Sequence, residues 1–496
     1  MQWMTDLFMW THARQAQVFW VGGTVRDLLR QRVPPDWDVA IRVPDNADLT
    51  RWIADWTAWA TRAPGHRCIA LCKKFPTYRW VLPSRRWVDI VFFQGTITAE
   101  LARRDFTVNA LALEWTHEWL PRFSTWMCSP PASLDPEVVK FVAVHCIDPF
   151  SGRSDLEKRV LRAIHPDNLR ADPVRIVRAY RLSAQLHLTI EPRTRAWLRS
   201  TMTDLRRASP ERVVIEVLKW LLTDETDTWT VEADRDGFWA AWIPEVRAMQ
   251  GCTQGGYHHL DVWGHSIETV RALTEIAQRF RDLEAFVPFA QALWHQTWTM
   301  QMPQWPFLKW AALFHDIGKP SVRRPARYPG AYVFYGHAQV GARHIASLMT
   351  RLRFSQAAIR WVREMVRHHM VPLEIWKRHG VQATVRYLTR RFGHQAMWLI
   401  MLSTADQMAK AGPLMEPHRN REFEEMCLGV MHALQEPAAR WQFPLRGVDL
   451  IRMGIPPGPQ VGQILARLRR EWWQGQWHTR EEGLHRARMW TRSVRY

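Results

Sequence analysis

No stretch of this 496-residue chain approaches 18 uninterrupted apolar residues, so a membrane-spanning helix is not expected. The six cysteines, Cys68, Cys72, Cys128, Cys146, Cys252 and Cys427, contain no Cys-x-x-Cys pair. That spacing argues against a disulfide framework or a zinc ribbon and for reduced thiols in the cytoplasm. The opening residues, Met1-Gln2-Trp3-Met4-Thr5-Asp6, have no basic region and no long apolar core, so no secretory signal is read there. No internal repeat is visible. Positive charge, by contrast, is plentiful: 67 Lys plus Arg against 48 Asp plus Glu, a formal +19. Such an excess calls for a polyanionic partner, with nucleic acid ahead of an anionic membrane surface. The 30 tryptophans are expected mostly to fill helix-packing cores, with some left to stack on bases.

The most informative segment lies near the amino end. An apolar run from Val18 to Val21 reads as a strand and stops at Gly22-Gly23. Thr24-Val25-Arg26-Asp27-Leu28-Leu29 then opens a helix. Glycines let backbone N–H groups approach a polyphosphate, and a helix start favours an anion. Asp36 and Asp38 follow; two apart on a strand, their carboxylates leave one face. Beside a phosphate cradle, such a pair suits two Mg²⁺ ions, roughly 4 Å apart, for displacement at phosphorus. Asp89, on a later strand, reads either as a third carboxylate at the ions or as an ordinary solvent-facing residue. Arg103 and Arg104 suit phosphate binding. Asp105 and Asn109 are four apart and would share a helix face, although Asp105 also suits a helix cap.

A chain of this length needs several cores. Four modules are expected: 1–125, β-rich runs and turns closed by a helix-like Thr107 to Leu113; 126–250, helical, after a Pro/Ser-rich break at Ser129-Pro130-Pro131; 251–420, helical and histidine-rich, opening on a glycine-rich linker from Gly251 to Gly256; and 421–496, a basic tail with an amphipathic helix from Ile464 to Trp473.

Gly22-Gly23-x-x-Arg26-Asp27, Asp36-x-Asp38 and Arg103-Arg104-Asp105-Phe106-Thr107-x-Asn109-Ala110 resemble the family of tRNA CCA-adding enzymes and bacterial poly(A) polymerases. The likeness continues in Asp148-Pro149-Phe150-Ser151-Gly152, in Asp172-Pro173-x-x-Arg175-x-x-Arg178-x-x-Arg181, in Gly447-Val448-Asp449-Leu450 and in Gly454-Ile455-x-Pro457-Gly458-Pro459. It implies an α+β fold: a polymerase-β-like nucleotidyltransferase head, a mixed sheet with helices, followed by all-helical neck, body and tail. It also implies Asp36 and Asp38 as Mg²⁺ ligands, with Gly22, Gly23, Arg26, Asp27, Arg104, Asp105 and Asn109 at the nucleotide. The implied partners are the tRNA 3′ end, CTP and ATP, and no membrane; the implied reaction is template-independent addition of C and A. Poly(A) synthesis, or addition of CC or A alone, is the alternative.

Within the neck, Asp172 and Arg175 are expected side by side. Cytosine and adenine both offer an exocyclic amine beside a ring-nitrogen acceptor, which one Asp and one Arg match; uracil and guanine face the carboxylate with a carbonyl. The mismatch costs about 1–3 kcal/mol. Arg178 and Arg181 are placed on the same spiral to meet the triphosphate. Asp172 before Pro173 also suits a helix cap. Ala171 stands where the family has an acidic residue, and no Asp-x-x-x-Arg element is seen between Arg62 and Arg79.

In the third module, His265, the pair His315-Asp316, and Asp406 resemble the ligand series of HD-type metal-dependent phosphohydrolases, with further histidines at His337, His368 and His369. Imidazole plus carboxylate suits Mn²⁺, Ni²⁺ or Fe²⁺ better than Mg²⁺. An HD phosphohydrolase acting alone is therefore a further alternative function.

Overall fold

Six short runs, four of them rich in β-branched and aromatic residues, form one sheet in the computed structural model, which describes residues 2–34, 36–72, 76–83, 87–119, 136–327, 332–412, 418–436 and 442–493. The strands are β1 (Gln17–Val21), β2 (Trp37–Arg42), β3 (Arg67–Cys72), β4 (Thr77–Val81), β5 (Trp87–Phe93) and β6 (Ala112–Glu114), in the order β3-β4-β5-β2-β1-β6. β2 and β5 run parallel and the remaining neighbours antiparallel. One sheet face carries Val18, Trp20, Val39, Ile41, Trp80, Val88 and Ile90 into a core with Trp52, Ile53 and Trp56. Phe19, Val21, Ala40, Val91 and Phe93 lie on the other face, with Leu101. The two-residue period makes both assignments.

The chain divides into two units, Met1–Arg207 and Ala208–Tyr496. The first joins the sheet to helices that include Pro136–His145, Gly152–Glu157, Pro166–Ala171, Val174–Leu186 and Pro192–Thr201. The second is helical apart from a two-stranded ladder, Arg324–Pro325 with Tyr332–Val333, among the described residues. Trp220, Trp239, Trp263, Trp305, Trp310, Trp472 and Trp477 are fully buried there, the core role expected of most tryptophans.

Several expectations need correction. Thr107 to Leu113 is not a helix: a 3-10 turn covers Thr107–Asn109, and Ala112 and Leu113 pair with β1. A short apolar run suits either state, and the open edge beside β1 decides it. Beside the expected α2 (Gly23–Leu29), the β-rich opening contains three more α-helices among the described residues, α1 (Gln2–His12), α3 (Leu49–Ala60) and α4 (Ile97–Ala102); α3 is capped by Asp48, which accepts from Thr50 N at 2.9 Å. Arg67–Cys72 and Thr77–Val81 pair as antiparallel strands. Gly251 to Gly256 is packed, not slack: Cys252 and Gln254 are buried, and Gly251 N donates to Asp261 Oδ2 at 2.7 Å. The tail helix starts earlier than expected, at Pro459–Trp473. The Ser129-Pro130-Pro131 break lies outside the described residues. No helix among the described residues is long and apolar enough to cross a membrane.

Candidate active site

β1 ends at Val21, and Gly22 turns the chain into α2 (Gly23–Leu29) with φ 62 and ψ −127, a conformation open chiefly to glycine. Space matters as much as torsion. A side-chain carbon on Gly22 would lie 2.5 Å from Arg104 Nη1 and 3.5 Å from Asp38 Oδ2; one on Gly23 would lie 3.4 Å from both Arg26 Nη2 and Asp38 Oδ2. Two guanidinium groups and one carboxylate thus converge on the glycine pair. Because α2 has only seven residues, the arginines rather than a long helix dipole dominate the positive field.

Arg26 is held by two partners. Arg26 donates from Nε and Nη2 to the two oxygens of Asp27, at 2.9 and 3.1 Å, and from Nη1 to Asn109 Oδ1 at 2.6 Å. Asp27, expected at the nucleotide, is instead turned onto Arg26. Asp38 N donates to Thr24 Oγ1 at 2.8 Å, and that hydroxyl donates to Asp36 O at 3.4 Å. Asp36 is exposed and immediately precedes β2, while Asp38 is on the strand, so the pair straddles the strand's first residue. Burial raises the Asp38 carboxyl to about 6; Asp89 and Asp36 add to the rise, and Arg104 and Arg26 oppose it. Thr24 was missed by sequence reading, and nothing short of its place between glycine and carboxylates signals it.

Asp105 is buried and is a brace, not a face of the cleft. Its Oδ1 accepts from Phe106 N (2.8 Å) and Asn109 Nδ2 (3.0 Å), and its Oδ2 from Arg178 Nη1 (2.9 Å). Burial alone would raise its carboxyl, but Arg178, Arg175 and Asn109 outweigh that and hold it well below the usual range. Behind this segment, Asp148 accepts from Gly152 N and Arg153 N at 2.7 and 3.0 Å, and Thr107 Oγ1 donates to Asp155 Oδ2 at 2.7 Å.

The neck differs from expectation. Asp172 is not in a helix; it has extended torsions between Pro166–Ala171 and Val174–Leu186, and Arg175 N donates to its carbonyl at 3.0 Å. Arg175 Nη1 donates to Arg103 O (2.8 Å) and Asn168 O (3.2 Å), while its Nε has no hydrogen-bond partner among the described residues. In place of a reach toward triphosphate, Arg178 bonds Asp105, and Arg181 Nη1 donates to Gln185 Oε1 at 2.6 Å.

In the second unit, His265 comes from helix Val262–Phe280, His315-Asp316 from the end of Trp305–Phe314, and Asp406 from Gln395–Met408. His265 Nε2 lies 2.9 Å from Asp406 Oδ1, and His315 Nε2 lies 3.1 Å from Asp316 Oδ2 and 3.6 Å from Asp406 Oδ1. His337 and His369 approach the other oxygen of Asp316, at 3.4 and 3.7 Å. His368 points elsewhere, to Glu364 at 3.2 Å. Two three-residue donor groups therefore share Asp316: His265 with His315, and His337 with His369. Lys319 and Lys410, which sequence reading did not single out, pair with Asp316 (2.5 Å) and Asp406 (2.9 Å). Both are legible as neighbours three and four residues on from the acids. Burial opposes charge on His315, yet Asp316 and Asp406 outweigh it and lift the imidazole to about 9. His315 Nε2 and both Asp316 oxygens lack a geometrically sound hydrogen bond, so the donors present fit a bound cation.

Three family descriptions match in order: "Poly A polymerase head domain" over residues 18–123, "Probable RNA and SrmB- binding site of polymerase A" over 187–249, and "HD domain" over 262–390. An A-adding tRNA nucleotidyltransferase from Deinococcus radiodurans is 31% identical over 456 residues, covering 90% of this chain and 89% of the relative. A CC-adding tRNA nucleotidyltransferase from Thermus thermophilus is 29% identical, covering 94% and 91%. The Thermotoga maritima CCA-adding enzyme complexed with tRNA shares the fold, with TM-score 0.57 at 18% identity over 98% of this chain and 94% of that one. By this sequence relationship and the α+β head with its helical remainder, the chain belongs to the tRNA nucleotidyltransferase family.

Proposed function

We propose that the protein adds C and A to the 3′ end of tRNA, using CTP and ATP, with Asp36 and Asp38 holding two Mg²⁺ ions. The observation that carries this reading is the convergence of Asp38, Arg26 and Arg104 on the side-chain-free space at Gly22 and Gly23. Hard carboxylate oxygens suit Mg²⁺, and the burial and crowding that raise Asp38 are relieved by a cation. When bound, the ions supply activation of the primer hydroxyl and neutralisation of the charge on the leaving pyrophosphate. Arg26 and Arg104 hold the triphosphate, and Asp27 and Asn109 fix the plane of Arg26. Arg175, its Nη1 pinned by two carbonyls, keeps Nη2 to donate to the ring-nitrogen acceptor while Asp172 accepts from the amine of the edge common to cytosine and adenine. The net charge of +19 supports binding of the tRNA acceptor arm by phosphates and shape. A cytoplasmic location follows from that substrate.

Incubating the protein with tRNA lacking its CCA end, and with each nucleotide separately and together, tests the reading. A three-residue C-C-A addition supports it; an open-ended A tail, or CC or A alone, replaces it with the corresponding alternative. Asp38→Ala is expected to abolish addition while leaving tRNA binding nearly intact, and retained activity would refute the assignment.

We also infer that His265, His315, Asp316 and Asp406 hold a transition metal such as Mn²⁺, Ni²⁺ or Fe²⁺, on the strength of the unsatisfied buried donors. Phosphoester hydrolysis there would survive Asp38→Ala and disappear with Asp316→Ala.

A further inference from the structure

We propose that Asp89, Arg79 and Trp87 form the seat of the primer's 3′-terminal nucleotide. This rests on the nucleotide-addition reading above and extends it to the other substrate. β2 has β1 on one side and β5 on the other. The anion cradle of Gly22, Gly23, Arg26 and Arg104 lies on the β1 side of Asp38. In-line displacement requires the attacking hydroxyl to arrive opposite the leaving pyrophosphate. The primer end therefore approaches from the side of β5 and β4.

What stands there is built to receive it. Asp89 is the direct parallel-strand partner of Asp38, and Arg79 is the direct antiparallel partner of Asp89. The three side chains form a row across one sheet face, spanning about 10 Å at two strand spacings. Trp87, two residues before Asp89, is on the same face, and the Arg79 guanidinium lies 4.8 Å from its ring centroid. The opposite face at this level, Trp80, Val88 and Ile90, is packed into the core and unavailable.

Arg79 donates from Nε to Asp89 Oδ1 and from Nη2 to Asp89 Oδ2, both at 2.8 Å. A carboxylate so compensated is a poorer ligand for Mg²⁺ than Asp38, which no arginine grips in this way. Each Asp89 oxygen keeps a second acceptor site, suited to a ribose hydroxyl. Arg79 Nη1 makes no hydrogen bond among the described residues and is suited to the phosphate behind that ribose. The side chains of Arg79 and Asp89 are 30% and 23% exposed, so a ligand reaches them. An acceptor at the terminal 2′-hydroxyl would also distinguish RNA ends from DNA ends.

The test uses the full chain and two primers: tRNA lacking its last nucleotides, and the same tRNA ending in a 2′-deoxynucleotide with its 3′-hydroxyl intact. Asp89→Asn and Arg79→Ala are expected to raise KM for the primer about tenfold, the scale of one hydrogen bond to a charged group. KM for the nucleotide and the Mg²⁺ half-saturation should stay within about twofold, since lost ground-state contacts act on one substrate. Asp89→Asn, which keeps one acceptor oxygen, should also weaken the preference for the ribose end and Asp89→Ala erase it, and Arg79→Lys, which keeps charge without the fork, should lower primer affinity less than Arg79→Ala. An increased Mg²⁺ requirement with unchanged primer KM would make Asp89 a third metal carboxylate and overturn the proposal. Unchanged kinetics in all variants would reduce the pair to a cross-strand brace and overturn it too. If the unaltered protein extends neither primer, the reaction itself is wrong and the seat falls with it, an outcome distinguished by Asp38→Ala being no worse than wild type.

Discussion

His337 and His369 turn their Nε2 atoms toward each other at 3.2 Å, and each offers its Nδ1 to a backbone carbonyl, Phe334 O at 2.8 Å and Val366 O at 2.7 Å. With the proton on Nδ1, both facing nitrogens are acceptors, and two acceptors at that distance repel. A shared proton is a weak answer, because burial lowers His369 to about 3 and also lowers His337, keeping both neutral at pH 7. A metal ion beside Asp316 would resolve the conflict. The carbonyl contacts would then fix the tautomer and aim the rings, as outer partners of ligating histidines do.

Metal should therefore stabilise the second unit. After chelator treatment, adding Mn²⁺ to about a hundred times its dissociation constant is worth about 2.7 kcal/mol. A rise in melting temperature of several degrees is expected, read by thermal unfolding. His315→Ala should cancel the rise, while Mg²⁺-supported nucleotide addition persists. A melting temperature indifferent to chelator and metal would contradict the assignment.

Gly152→Ala should be severe although the residue touches no substrate. A carbon there would collide with the Thr107 carbonyl, backbone against backbone, and neither side is free to yield. A cost of about 2–4 kcal/mol is expected from such overpacking. Because Thr107–Asn109 carries the Asn109 amide that holds Arg26, KM for nucleotide should rise as well. Urea unfolding and nucleotide titration measure the two effects.

The parts legible in the sequence were those made by near neighbours. Gly22, Gly23, Asp36 and Asp38 lie within 17 positions, and the apolar run Val18 to Val21 identifies the strand that carries them. The HD donors were legible as an ordered set. Pairings made by the fold were not. Arg26 meets Asn109 across 83 residues, and Arg79 meets Asp89 through the register of β4 on β5. One sequence holds no trace of either partnership. Arg178 shows the same limit: its spacing places it on the neck helix, but its partner, Asp105, lies 73 residues away.

Arg26→Lys should behave as a drastic change. Arg26 uses a planar fork on Asp27 and a third donor on Asn109, and an ammonium reproduces neither geometry. KM for CTP and ATP is expected to rise about tenfold or more, with KM for tRNA little changed. Asp27→Asn should produce a smaller increase in the same direction, since it loosens the arginine without removing it. Steady-state titration of each substrate decides, and an effect confined to tRNA would place Arg26 elsewhere.

Lys309 gives the protein a pH dependence unrelated to its reaction. It is wholly buried in helix Trp305–Phe314 and donates to Thr223 O at 2.7 Å and Thr226 Oγ1 at 2.8 Å. Burial lowers its ammonium to about 7, against the opposing pull of Asp224 and Asp227. The folded pKa is thus below that of the unfolded chain, about 10.5. Between these values the unfolded state binds more protons, so stability rises with pH, by at most about 1.4 kcal/mol per unit, from about 7 to about 10.5. Below about 7 the full cost is present. Lys309→Met should remove that slope and be more stable than wild type near pH 7. Its two acceptors are not orphaned, because Thr226 Oγ1 also donates to Thr223 O at 2.6 Å. Urea midpoints for both proteins between pH 7 and 9.5 should converge as pH rises; parallel curves would mean that the buried ammonium is fully compensated where it lies.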